Sequence, residues 1–200
     1  MRNCPTPLAT FILLTAILAV LGMPALASAQ ASGHGRAVQA SVTSLLGAIN
    51  TSLADTGTLS GAGDARDSSQ GVGTIAGLLS GNTLHASTIG SGDTVASEAS
   101  IGDLALSVAG NTVGAGFVMA RALAATGVGS AAAVSISGLS INGVAVAVTG
   151  EKNQTLAIPG GRIVINEQQT NGNGTTVNAL HIVVDGVADV VVASAAAQVE

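Results

Sequence analysis

The chain has 200 residues and a formal net charge of −5, with 6 basic side chains against 11 acidic ones. Charged residues make up 8%, where a globular protein carries about 25%. So few cations, with no tryptophan or tyrosine, argue against a nucleic-acid interface, an anionic membrane surface, an aromatic sugar platform and the aromatic girdles of an outer-membrane barrel.

In chain order, residues 1–29 have the three parts of a secretory signal peptide, expected as a helix in the precursor. Arg2 supplies the positive start, 8–23 is an apolar run, and Pro24 ends it. Ala27 and Ala29 make a small-x-small cleavage motif ahead of Gln30. Cys4 precedes the apolar run, so it is not placed as a lipoprotein cysteine and leaves with the signal. The mature chain then holds no thiol and must be stabilised by its core. Residues 30–36, QASGHGR, read as a flexible leader, and 37–200 as one domain.

Short alternations of Val, Ile, Leu and Ala recur between Gly, Asn and Asp, the pattern of a sandwich or barrel. A first strand is expected over 37–45, with Val38, Ala40 and Val42 on one face. Residues 58–72 read as a loop, and 83–89 as a strand. Over 98–123, a two-residue turn at Gly110-Asn111 places Val108 opposite Val113, Leu106 opposite Ala115 and Leu104 opposite Phe117, all on one face. Glu98 then neighbours Arg121 diagonally, as a structural ion pair.

Asn142-Gly143 predicts a second hairpin, because both central residues of a type I′ turn need positive φ. Ile141 then meets Val144, and Leu139 meets Val146. Gly138 lies where the apolar phase changes, so a bulge is expected there. Strands 155–158 and 162–167 flank a turn at Pro159-Gly160-Gly161. Asn171-Gly172-Asn173-Gly174 follows as a polar loop. Residues 176–199 are nearly continuous in apolar residues. They read either as a hairpin about Asp185-Gly186, with Asp189 awkwardly opposite Ile182, or as one long kinked strand.

Candidate chemistry is sparse. There is no HExxH, no cysteine pair and no G-x-S-x-G elbow. Of His34, His85 and His181, His85 is the best-placed general base, beside the Gly/Ser-rich stretch 89–93. Asp64, Asp67, Asp93 and Glu98 are the candidate calcium ligands, at a spacing that fits no EF-hand. The expectation is no catalytic residue, no metal ligand and no cofactor.

Several stretches carry a family resemblance: GRAVQASVTSL (35–45), ASEASIGDLALSVAGNTVGAGFVMARA (96–122), INGVAVAVTG (141–150), GGRIVINEQ (160–168) and TVNALHIVVDGVADVVVASAAAQV (176–199). Through them the mature chain resembles bacterial choice-of-anchor P family proteins. The resemblance implies an exported protein of undefined biochemical role, with anchoring tails that differ between members. No such tail is recognisable after Val199, which favours release.

The expected product is a secreted all-β protein, an antiparallel sandwich with jelly-roll-like topology. The expected role is non-enzymatic, structural or adhesive, at the cell surface or beyond it. Its expected partners are further copies of itself or cell-surface components, with no nucleic acid and no membrane span once the signal is removed. The alternatives are a hydrolase using a serine with His85 or His181, and a calcium or small-ligand module.

Overall fold

A computed structural model describes residues 30–44 and 47–199 of the chain. The signal helix and the cleavage residues Ala27 and Ala29 lie outside the described residues, and Gln30 is the first inside them.

The described residues form two antiparallel sheets packed face to face, with no helix. Sheet I runs in the order β10 (Gln154–Ile158), β11 (Gly161–Asn171), β12 (Gly174–Val184), β13 (Ala188–Val199), β1 (Ala31–Ser44) and β2 (Gly47–Asp55). Sheet II runs β3 (Ala65–Ile75), β4 (Leu79–Ser91), β5 (Thr94–Val108) and β6 (Asn111–Ala125). The far edge of β6 is shared by β7 (Gly129–Ser137) and the two-residue β8 (Ser140–Ile141), which pairs with β9 (Val144–Ala145). The core is aliphatic, built on fully buried Leu84, Ile101, Ile163, Ile165, Leu180 and Ile182.

The jelly-roll expectation is corrected. Apart from β13 beside β1 and β6 beside β8, every sheet neighbour is also the neighbour in sequence. That is a meander rather than the crossed order of Greek keys. Most of its turns have only two or three residues, which leaves no chain for a crossing connection.

Three segments differ from their sequence reading. Residues 31–36 are not a leader but the start of β1, paired with β13 from Ala31↔Val199 to Arg36↔Ser194. Their glycines are there for close packing: a Cβ on Gly35 would meet Glu98 O at 2.6 Å and Ser87 O at 2.9 Å. Residues 65–72, expected in a loop, belong to edge strand β3, whose polar side chains obscure its period. The last stretch is a hairpin, but with Val184 opposite Ala188 around three residues. The extra residue sets Asp189 opposite Val183, on the outer face, and relieves the awkward Ile182 pairing.

The β5–β6 hairpin is also corrected. Val108 pairs with Asn111, so the turn is Ala109-Gly110 and not Gly110-Asn111. Both turn residues have positive φ (46° and 78°), as a type I′ turn demands. Asn111 is instead buried at the start of β6, where its Nδ2 donates to Pro159 O at 2.9 Å. Leu104 opposes Ala115 and is buried, while Phe117 opposes Gly102 and points outward. The two are therefore on opposite faces.

The cause is an inversion that crosses each sheet. In sheet II, two consecutive residues face outward on each of four segments: 82–83, 102–103, 116–117 and 137–138. Thr83, Asp103 and Gly138 have positive φ there, and Gly138 is the point at which a bulge is expected. In sheet I, the aligned row Ala54, Ala37, Ala193, Ala179 and Asn166 is buried beside a row that also faces inward. Ala54, Ala193 and Asn166, on alternate strands of that row, have positive φ. Asn142-Gly143 forms the β8–β9 turn, with Ile141 opposite Val144 and Val146 N donating to Leu139 O.

Candidate functional site

The inversion in sheet I fixes which side chains stand next to it on the outer face. One residue on from the alanine row, register brings together Asp55, Arg36, Ser194, Asn178 and Glu167, one from each of five adjacent strands. Across strands spaced about 4.8 Å apart, these side chains bond laterally. Arg36 Nε donates to Asp55 Oδ2 at 2.7 Å. Ser194 Oγ donates to Asn178 Oδ1 at 2.7 Å, and Asn178 Nδ2 donates to Glu167 Oε2 at 2.7 Å.

A histidine is held at each end of this row. His34 Nε2 lies 2.6 Å from Asp55 Oδ1. His181 Nδ1 lies 2.9 Å from Glu167 Oε2, and its Nε2 lies 3.1 Å from Asp189 Oδ1. Both ring nitrogens of His181 therefore face a carboxylate oxygen. The side chains are half-buried: His181 is 18% exposed and Arg36 21%.

Asp55 feels this arrangement most. Burial alone would raise its carboxyl. The His34 hydrogen bond, the Gly57 amide and the charges of Arg36 and His34 outweigh burial and hold the carboxyl down at about 2.

The structure separates the candidate chemical groups. His85 Nε2 is 2.7 Å from Asp67 Oδ2 on the outer face of sheet II. Asp64 is bound by the Ser60 hydroxyl and amide and by Arg66 Nε, and these bonds hold its carboxyl well below the ordinary range. Asp93 lies in the exposed β4–β5 turn. Glu98 stands directly opposite Arg121, not diagonally, with Arg121 Nε 2.5 Å from Glu98 Oε2. The change from diagonal to direct follows from the corrected turn. Among the described residues, no group of three or more His, Cys, Asp or Glu side chains is arranged to hold a metal ion, and no helix is long and apolar enough to cross a membrane.

Each histidine therefore faces a carboxylate, and the hydrogen bonds of their rings do not include a serine hydroxyl. A carboxylate–histidine pair is the orienting half of a nucleophilic triad. Here the nearby hydroxyl of Ser194 is committed to Asn178 instead. Sequence reading missed the polar row because its members lie far apart in the chain and no local motif connects them. Histidine with acidic residues at strand positions was the one available signal.

The outer face of sheet II is of another kind. An open depression of about 620 Å³ is floored by small residues, among them Ser80, Ala105, Ser107, Thr112 and Gly114. A second, of about 300 Å³, lies over Ala96, Ala131 and Ala133 between the Glu98–Arg121 pair and Leu123. The chain matches no protein-family model, no curated protein and no solved structure.

Proposed function

We propose that the chain is an exported, non-enzymatic structural or adhesive module that acts at the cell surface or in the extracellular matrix. The observation that carries this reading is how the polar groups are used. On sheet I they are bonded laterally in two groups, one joining β2 to β1 and one joining β13, β12 and β11, so they fasten neighbouring strands to one another. Sheet II offers open depressions in which small residues such as Ser80, Ala105, Gly114, Ala131 and Ala133 alternate with aliphatic ones such as Ile75, Leu79, Leu106 and Leu123. Such faces suit contact over area, whereas catalysis and small-ligand capture need a few polar groups converging in a cleft.

Two features of the sequence support export: the signal-like residues 1–29 and the resemblance to choice-of-anchor P proteins. The test is made in the cell that produces the chain. Fractionation and N-terminal sequencing are expected to find it outside the cytoplasm, beginning at Gln30, and its deletion is expected to weaken surface attachment or matrix cohesion. A chain that keeps Met1 in the cytoplasm overturns the proposal. So does an exported chain that turns over ester substrates and loses that turnover in His181→Ala.

A further inference from the structure

Sheet edges present unpaired N–H and C=O groups, and proteins guard them with charge, proline, kinks or shortness. Three of the edges here are guarded in this way. β10 has five residues and is bracketed by Lys152 and Pro159. β3 carries Arg66 and Asp67. β2 carries Asn50, kinks at Ala54 and ends in Asp55.

β7 differs. It pairs with β6 alone, and its sequence GSAAAVSIS has nine residues without a charge or a proline. Its core-side residues Ala132, Val134 and Ile136 stay only half-buried, so the core is open along this edge. Ser130 Oγ is buried there without a hydrogen-bond partner. The apolar surroundings are exposed as well. Leu123 and Phe117, opposite Ala131 and Ser137, are 47% and 37% exposed, and Val128 in the preceding turn is 87% exposed.

We infer that β7 is an interaction edge whose partner is β7 of a second copy of this chain, added antiparallel to make one continuous sheet. Three observations favour this occupant. An uncharged strip offers no complementary charge to a foreign partner, whereas a two-fold axis sets it against its own like. A two-fold centred on Ala133 places Ala132 opposite Val134 and Ser130 opposite Ile136 of the second copy, small against large on the core side. The edges at β10, β3 and β2 are guarded and that at β9 has only two residues, so the assembly closes as a dimer and does not grow into a fibre.

The inference rests on the structural reading proposed above and gives it a contact. The experiment uses the chain from Gln30 onward in sedimentation velocity over a concentration series. The native chain is expected to populate a dimer as concentration rises. Ala133→Lys and Ala133→Glu each set like charges against one another at the axis and are expected to weaken association by about tenfold or more. Mixing the two variants is expected to restore the dimer.

Because residues 30–200 contain no cysteine, Ala133→Cys provides a second readout. It is expected to crosslink to itself under mild oxidation, while Ser69→Cys on the opposite edge is not. A native chain that stays monomeric at every concentration overturns the inference. So do variants that dimerise as the native chain does, or equal crosslinking at the two edges. These outcomes are separate from those of the cellular test: a surface-located monomer would remove the β7 contact alone, and a cytoplasmic dimer would remove the proposed function alone.

Discussion

A single carboxylate can report whether the polar row on sheet I is built in the folded state. Asp55 is held at about 2 against an ordinary 3.8. A depressed folded value means that the unfolded chain takes up the proton first. The stabilisation is therefore complete above about pH 4 and is lost as pH falls toward 2. For a group that is 26% exposed, solvent screening keeps the contribution modest, roughly 1–2 kcal/mol. Asp55→Asn is expected to lower the urea midpoint at neutral pH and to flatten its decline between about pH 4 and 2. Asp64 is depressed as well, by the Ser60 hydroxyl and amide and by Arg66, so Asp64→Asn serves as the comparison for an acid group outside the row. If the acid slope of Asp55→Asn matches that of the native chain, Asp55 is not the group that couples the row to stability.

At the level of strands and turns, what could be read from sequence was whatever a local backbone demand had written there. Asn142-Gly143 was legible because a type I′ turn needs two residues tolerant of positive φ, and few pairs qualify. The turn at Ala109-Gly110 was located to within one residue and misplaced. Asn111 is an equally good turn residue by type, and its other use is explained by two long-range bonds, its Nδ2 donating to Pro159 O and its Oδ1 accepting from Asn142 Nδ2. The inversion through Asp103 and Gly116 was not legible either, since alternation counted along one strand assumes that its phase persists. The polar row depends on the separate inversion in sheet I, at Ala54, Ala193 and Asn166, which is why its members never formed a motif.

Gly33 and Gly35 gave the opposite error: glycine in a polar stretch suggested slack chain, where it marks close approach. Gly35→Ala is expected to cost roughly 1–3 kcal/mol, because the new Cβ would press on the Glu98 and Ser87 carbonyls, which cannot move aside as a side chain would. Gly71→Ala on edge strand β3 has nothing within 4 Å of its Cβ. It is expected to be neutral or to stabilise by up to about 1 kcal/mol through the unfolded chain. Urea denaturation of the two variants side by side checks both, and equal losses would mean that β1 does not pack on sheet II as described.

The whole molecule is closed by the pairing of its first strand with its last. β1 lies between β13 and β2, so the register from Ala31↔Val199 to Val42↔Ala188 joins the two ends of the described chain inside sheet I. Every other ladder joins strands near in sequence and can form early, whereas this one closes a loop of nearly the whole domain. Loop closure over that distance costs entropy before any contact offsets it, which places folding in the slow range typical of all-β topologies. Until β13 arrives, β1 lacks one neighbour and its row of alanines has nothing to continue into. A chain ending at Val187 keeps all of sheet II and most of the strands of sheet I. It is nonetheless expected to show no cooperative thermal transition by circular dichroism, because the missing strand lies in the interior of its sheet and also carries Val190 and Val192, both fully buried. A cooperative transition in that truncated chain would mean that sheet II with β1 and β2 folds by itself.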